Sequence, residues 1–155
     1  MIVVLDNLRS IYNTASIFRT ADAVGVGNIM LCGTTPTPVD KWGRSNLAFS
    51  KVSLGAELSI KWEYKSNIND GLDKLRTEGY TLIALEQSVN SVDIFTYNPP
   101  ANIALVVGPE RTGMGADVLN KCDTILEIPM FGKKESLNVS VAFGIAAYAL
   151  HRSNK

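Results

Sequence analysis

Short apolar runs alternate with helical patterns along most of the chain, and this alternation limits the possible folds more than any other feature. Strands are predicted at residues 2–5, 29–32, 58–64, 81–85, 103–107 and 124–128. Helices are predicted at about residues 10–24, 68–78, 116–122 and 137–152, with Ser10 as a candidate N-cap and Gly25 and Gly79 as stops. Strands that alternate with helices predict an α/β fold with a parallel sheet and helices on both faces.

One long segment lacks a regular pattern. Residues 33–56 are rich in Thr, Pro, Ser and Gly, and a loop of this length in a compact domain is usually functional or mobile. Asp40 is its only acidic residue, whereas its basic residues are Lys41, Arg44 and Lys51. We therefore expect a locally basic surface at this loop.

The composition narrows the class of protein. The chain has 155 residues, which fits one domain over residues 1–155, and fifteen basic residues balance fifteen acidic ones. Cys32 and Cys122 match no metal or redox spacing, so we expect buried free thiols in a reducing compartment. We find no signal peptide, and the apolar stretch 137–150 is too short to span a bilayer. These features predict a soluble cytoplasmic protein with no membrane partner.

A glycine-rich stretch follows the predicted strand 103–107. Gly108, Gly113 and Gly115 permit a ligand to approach the backbone closely at a strand-to-helix junction. The stretch lacks the lysine of a phosphate loop and the spacing of a dinucleotide fingerprint. Glu110, next to Arg111, is a candidate contact for a polar or cationic ligand. A tight structural turn explains the same glycines equally well.

Polar residues also mark two helices. Asn13, Ser16 and Arg19 have spacings that allow them to lean to one side of the first helix, although a solvated face is the commoner meaning. Arg19 carries a planar fork of donors suited to a phosphate.

The last helix has polar residues at its start. Ser136 is a candidate N-cap, whereas Asn138, between Leu137 and Val139, would be a costly polar group near the core unless it had a function. The only histidine is His151, so the sequence offers neither a Ser-His-Asp set nor a metal-ligand cluster.

Together, three stretches resemble the three motifs of the SpoU/TrmH branch of the SPOUT RNA methyltransferases. They are N-x-x-S-I-x-R-T at residues 13–20, V-G-P-E-R-T-G-M-G at residues 107–115, and I-P-M-x-G-x-x-x-S-L-N-V-S-V-A at residues 128–142. The resemblance covers essentially the whole chain. Many relatives carry a further N-terminal RNA-binding domain, and this chain begins at the first strand of the catalytic domain, so we expect no separate RNA-binding domain.

The resemblance implies a deep C-terminal trefoil knot that forms a pocket for S-adenosylmethionine. By position, the adenosine site would be lined by Leu85, Gly108, Ile128, Met130 and Leu137, and the backbone around Gly113 would wrap the cofactor. The reaction implied is methyl transfer to a ribose 2′-hydroxyl of tRNA or rRNA. It needs no metal, because the cofactor itself supplies the electrophile.

The resemblance also assigns roles to the polar residues. Arg19 would act as the base or, more consistently with its permanent charge, as a grip on the phosphate beside the target ribose. Asn13 and Glu110 would orient Arg19 and the ribose, and Ser136 and Asn138 would complete the site. The charge of their loop, and not the resemblance, leads us to expect that Lys41, Arg44 and Lys51 bind RNA as a basic groove paired across a dimer.

The last helix also bears on assembly. Residues 137–150 are apolar nearly all round, which calls for burial on every side and predicts a homodimer. The resemblance implies the same assembly, with active sites near the interface.

The sequence leaves two other functions open. One is a catalytically silent RNA-binding module of the same fold. The other is a generic nucleotide-binding α/β domain, which the missing phosphate-loop lysine and dinucleotide spacing disfavour.

Overall fold

A seven-stranded parallel sheet organises the chain in the computed structural model, which describes residues 1–152. The strands are β1 (Ile2–Asp6), β2 (Asn28–Cys32), β3 (Lys61–Lys65), β4 (Thr81–Leu85), β5 (Val92–Asp93), β6 (Ile103–Val107) and β7 (Thr124–Glu127). The helices are α1 (Ile11–Val24), α2 (Leu47–Ser53), α3 (Ala56–Ser59), α4 (Ile68–Thr77), α5 (Ala116–Leu119) and α6 (Val139–Arg152). The strand order is β3-β2-β1-β6-β4-β7-β5, and every pairing is parallel.

Helices cover both faces of the sheet, as the alternation predicted. Alternate residues of a strand point to opposite faces. Val3 and Leu5 of β1 therefore join the core cluster that includes α1, α2, α3 and α6, whereas Ile2 and Val4 join the cluster formed with α4 and α5. The prediction of a parallel α/β sheet with helices on both faces is confirmed.

The first helix forms as its sequence indicates. The Ser10 Oγ accepts a hydrogen bond from the Asn13 N–H at 3.1 Å, which satisfies one of the free donors of the first turn. Gly25 ends α1 with φ 80°, a left-handed conformation that glycine adopts without a steric penalty.

The segment 33–64 differs from its prediction. Residues 47–53, expected to lie in a loop, form α2, whose N-cap is Asn46. Phe49 of α2 is fully buried, and its ring centroid lies 5.2 Å from that of Phe18 in α1. Residues 58 and 59, expected in a strand, belong to α3, and β3 begins only at Lys61. Tertiary packing determines where the short helices α2 and α3 form, and the local hydrophobic periodicity does not reveal this packing.

Smaller differences lie elsewhere. The two-residue strand β5 was not predicted, α5 ends at Leu119 instead of residue 122, and α6 begins at Val139 instead of residue 137. Cys32 is buried as expected, but Cys122 is only half-buried, so the prediction of burial is wrong for that thiol. Within residues 1–152, no helix combines the length and the apolar character needed to cross a bilayer.

The candidate site follows from the strand order. All seven strands are parallel, so the segments after β1, β4, β6 and β7 leave the same edge of the sheet. In open α/β sheets, ligands bind beyond this carboxyl edge. The glycine-rich stretch after β6 and the segment 128–138 after β7 therefore meet there.

Candidate functional site

A cleft of about 360 Å³ lies between the segments that follow β4, β6 and β7 and the first turn of α6. Its apolar wall includes Val107, Val139 and Ala142, and its polar wall includes Glu86, Glu127 and Glu135. The structure brings to this cleft all six residues for which cofactor contacts were expected, namely Leu85, Gly108, Gly113, Ile128, Met130 and Leu137. Glu110 and Ser136 line it as well.

Asn13 joins the three polar stretches through Glu110, which lines this cleft, and Asn138. Its Nδ2 donates a hydrogen bond to the Glu110 Oε1 at 2.9 Å, and its Oδ1 accepts one from the Asn138 Nδ2 at 3.1 Å. Asn13 is only 8% exposed, so both bonds are partly shielded from water. We call Asn13, Glu110 and Asn138 the amide–carboxylate cluster.

Asn138 performs two tasks at the start of α6. Its Oδ1 accepts hydrogen bonds from the Ser140 N–H at 2.9 Å and from the Ser140 hydroxyl at 2.7 Å, while its amide nitrogen reaches Asn13. Asn138, not Ser136, therefore occupies the capping position. Asn138 is also exposed and does not belong to the core.

The carboxylate of Glu110 has an environment that favours its charged form. Partial burial raises the pKa of Glu110, but donors from the Asn13 side chain and from the backbone N–H groups of Glu110, Arg9 and Ser10 outweigh it, and the pKa lies below its ordinary value. Glu110 is thus an anion at neutral pH. It can accept a hydrogen bond from a ligand, but it is a weak proton acceptor.

Glu86 holds the glycine-rich stretch in place, and the sequence reasoning missed it. Its Oε2 accepts a hydrogen bond from the Met114 N–H and its Oε1 accepts one from the Gln87 N–H, both at 3.0 Å. Gln87 in turn donates from its Nε2 to the Glu135 carbonyl oxygen at 2.8 Å. The available signal was position, because Glu86 and Gln87 directly follow a buried strand at the carboxyl edge.

Gly113 and Gly108 require glycine for different structural reasons. Gly113 has φ 68°, and a Cβ there would lie 3.0 Å from the Glu86 Oε2. Gly108 is buried, and a Cβ there would collide with the side chain of Met114. Close packing of the loop on itself thus accounts for Gly108, whatever the cleft binds.

Arg19 does not line this cleft. Asn13 and Arg19 are six residues apart, which turns their side chains about 120° from each other on a helix of 3.6 residues per turn. Asn13 is buried in the amide–carboxylate cluster, whereas Arg19 is exposed and Ser16 is half-buried. The expectation that all three lean to one side is wrong for Arg19.

The expected RNA-binding residues are exposed. Lys41 and Arg44 both lie against the ring of Trp42, at 4.3 and 4.6 Å from its centroid, and Arg44 also pairs with Asp40 at 2.8 Å. Lys51 lies near the end of α2. Trp42 is 67% exposed and was not among the residues predicted to bind RNA.

The chain resembles known proteins over nearly its whole length. Residues 1–148 match the model of the SpoU rRNA Methylase family. A 23S rRNA (guanosine-2′-O-)-methyltransferase from Neisseria meningitidis is 34% identical over 145 residues, which cover 94% of this chain and 55% of the relative. This chain therefore spans little more than half the length of that relative.

Solved structures agree with the family match. The TrmH/SpoU tRNA modifying enzyme from A. aeolicus has a TM-score of 0.84 and 30% identity, covering 98% of this chain and 74% of its own. An AdoMet-bound rRNA methyltransferase from Sinorhizobium meliloti has a TM-score of 0.87 and 28% identity, covering 97% of this chain and 55% of its own. The chain belongs to the SpoU rRNA methylase family.

Proposed function

We propose that the protein transfers a methyl group from S-adenosylmethionine to a ribose 2′-hydroxyl of tRNA or rRNA. The observation that carries this proposal is the amide–carboxylate cluster, which joins the three motif stretches and includes Glu110 in the wall of the cleft. Family membership supports it, as does the likeness to the Neisseria and Sinorhizobium proteins, which are both rRNA methyltransferases.

The cleft suits an adenosine-containing cofactor. Its volume of about 360 Å³ falls in the range of small-ligand sites, which are mostly apolar with a few placed polar groups. Leu85, Ile128 and Leu137 offer apolar contact to a heterocycle, and Glu86 and Glu135 offer acceptors for hydroxyl or amino groups. We further propose that the segment 128–138 threads the trefoil knot that the family resemblance implies.

Several residues of the chain have separate roles in the proposed reaction. Bound S-adenosylmethionine supplies an electrophilic methyl group. Glu110, held by Asn13, accepts a hydrogen bond from the ribose and fixes the direction of the 2′-hydroxyl, which is the alignment that methyl transfer requires. Ser136, at the cleft wall, completes the site. The hydroxyl proton leaves to the adjacent phosphate or to water, since the lowered pKa of Glu110 makes that carboxylate a weak base.

A second copy of the chain brings Arg19 to the site in this proposal. On α6, Val141 is 51% exposed and Tyr148 is 49% exposed, and Leu137 just before the helix is 38% exposed. We propose that a two-fold homodimer covers this apolar face. Because α1 packs beside α6, Arg19 then lies near the partner's cleft, where its guanidinium grips the phosphate next to the target ribose.

RNA capture is assigned to the segment around α2. Lys41, Arg44 and Lys51 are exposed cations suited to phosphate contacts, and Trp42 between the first two adds a stacking surface. Replacing the three cations with Gln should weaken RNA binding and reduce its salt dependence; unchanged affinity would exclude the segment. We place the protein in the cytoplasm, where its free cysteines stay reduced.

One comparison tests the proposed activity. Total RNA from cells with and without the protein is mapped for 2′-O-methylation, and S-adenosylmethionine binding is measured by calorimetry. We expect cofactor binding and at least one position that loses its methyl group without the protein. Cofactor and RNA binding without any methylated position would instead identify a silent binding module. Absence of cofactor binding would contradict the proposal.

A further inference from the structure

A second, larger cleft lies on the other side of the glycine-rich stretch. Its volume is about 1130 Å³, and Pro109, Glu110, Arg111 and Gly113 line both clefts. Asn13 also lines the second cleft. The amide–carboxylate cluster therefore stands at the boundary between the two spaces.

The floor of this second cleft contains a buried carboxylate. Asp6, the last residue of β1, lines the cleft and is 4% exposed. Among residues 1–152, its carboxylate accepts one hydrogen bond, from the Asn7 Nδ2 at 2.7 Å, and has no ion-pair partner. A buried charge without a cation or further donors is costly, so an N–H group from a ligand would stabilise it. Burial, the largest effect, raises the pKa of Asp6, as does the nearby Asp117.

The rest of the cleft suits a flat heterocycle attached to a phosphate chain. Ile68, Met114 and Val118 supply apolar contact. Arg9 and Arg111 also line the cleft, and both are exposed. Within the described range, neither guanidinium has a hydrogen-bond or ion-pair partner in the protein. Such free cations favour phosphates on either side of an inserted nucleotide.

We propose that this cleft receives the base of the target nucleotide and that Asp6 selects a base with an exocyclic amino group. The inference rests on the proposed function and names its substrate more closely. A carboxylate only accepts hydrogen bonds, so it pairs with the 4-amino group of cytosine. Uracil presents a carbonyl oxygen at that position, which faces the carboxylate as a second acceptor. With the base in this cleft, its ribose lies beside Glu110 and Asn13, next to the first cleft.

A matched pair of nucleotides tests the selection. Cytidine and uridine 5′-monophosphates differ in the group at ring position 4 and in the adjacent ring nitrogen. They are titrated into isotope-labelled protein saturated with S-adenosylhomocysteine, and the dissociation constants are read from amide shifts. We expect the cytidine nucleotide to bind about tenfold more tightly, as one good base contact provides. Shifts should concentrate at residues of the second cleft.

Two variants identify the responsible group. Asp6→Asn keeps the shape of the side chain but can donate as well as accept, so it should remove the preference for cytidine. Asp70→Asn makes the same chemical change on the exposed surface of α4 and should keep the preference. Equal binding of the two nucleotides to the unaltered protein, or a preference that survives Asp6→Asn, would overturn the inference. Cofactor affinity and RNA methylation are measured separately. A protein that methylates uridine would therefore retain the proposed methyltransferase function but contradict the selection of cytidine by Asp6.

Discussion

Replacing Asn13 with Asp probes the amide–carboxylate cluster directly. The substitution keeps the shape of the side chain but exchanges the Nδ2 donor for an acceptor, 2.9 Å from the Glu110 Oε1. A hydrogen bond to a charged group contributes about 1.5–3 kcal/mol, and a like-charge contact adds repulsion. Glu110 is exposed, so solvent screens part of this effect, and we take the lower part of the range. We expect Asn13→Asp to lower the free energy of unfolding by about 2 kcal/mol at pH 7.

The free energy of unfolding should depend on pH in a definite direction. In the unaltered protein, the pKa of Glu110 is lower in the folded state than in the unfolded state. Glu110 therefore stabilises the fold at pH values above its unfolded pKa, and this stabilisation is lost as the pH falls through its folded pKa. In Asn13→Asp, two adjacent carboxylates raise one pKa of the pair, and at acidic pH a shared proton replaces the lost donor. The difference in stability between the two proteins should therefore shrink between pH 7 and about pH 4.

The assay is urea unfolding at several pH values, with Asn46→Asp as the control. Asn46 caps α2 through its Oδ1, and Asp is an equally good cap, so the same exchange there should change stability by less than about 0.5 kcal/mol. Equal losses in the two variants at pH 7, or a loss at Asn13 that does not shrink on acidification, would refute the reasoning.

Four further predictions follow from other parts of the molecule. Arg19→Ala and Arg19→Lys should bind S-adenosylmethionine normally yet lose methyl transfer in single-turnover assays, because Arg19 lies outside the cofactor cleft and lysine cannot reproduce its fork; a normal rate would remove Arg19 from the mechanism. Gly113→Val should cost at least about 1 kcal/mol of stability at φ 68° and weaken cofactor binding measured by calorimetry; unchanged affinity in the folded variant would contradict the site. Tyr148→Glu should shift the protein from dimer to monomer in light scattering, and an unaltered protein that is already monomeric would exclude the dimer. Burial, the largest effect, raises the pKa of Cys32 to about 12 and of Cys122 to about 11, so neither thiol should react with an alkylating reagent at neutral pH until the protein unfolds; rapid native alkylation would contradict this.

Strand and helix periodicity predicted the frame of this fold well, since each buried strand is a short apolar run. Both β4 and β6 coincide with their predicted limits. The same reasoning failed for α2, which has seven residues, and whose one fully buried large side chain is Phe49. Its stability comes from the Asn46 cap and from contact with Phe18, and a local pattern contains neither partner.

The candidate site was predictable in part for a related reason. Glu110 and Asn138 lie in the segments that follow β6 and β7, so strand order brings both segments to one edge of the sheet. Nothing local indicates that Asn13 bonds to both, because these pairs are 97 and 125 residues apart in sequence. Asp6 and Glu86 were overlooked because each is a single polar residue at the end of an apolar strand. That position is itself a usable signal in a parallel sheet.

The amide–carboxylate cluster also links stability to function. Asn138 uses its oxygen to start α6 and its nitrogen to hold Asn13, and Asn13 holds Glu110 at the wall of both clefts. A change at the start of α6 therefore displaces the carboxylate that we assign to the ribose. Because α6 also carries the exposed face assigned to the dimer, dimer formation can order the same three residues. On this account, the monomer should bind the cofactor less tightly than the dimer does, and cofactor affinity should fall as the protein is diluted through its dimer dissociation constant.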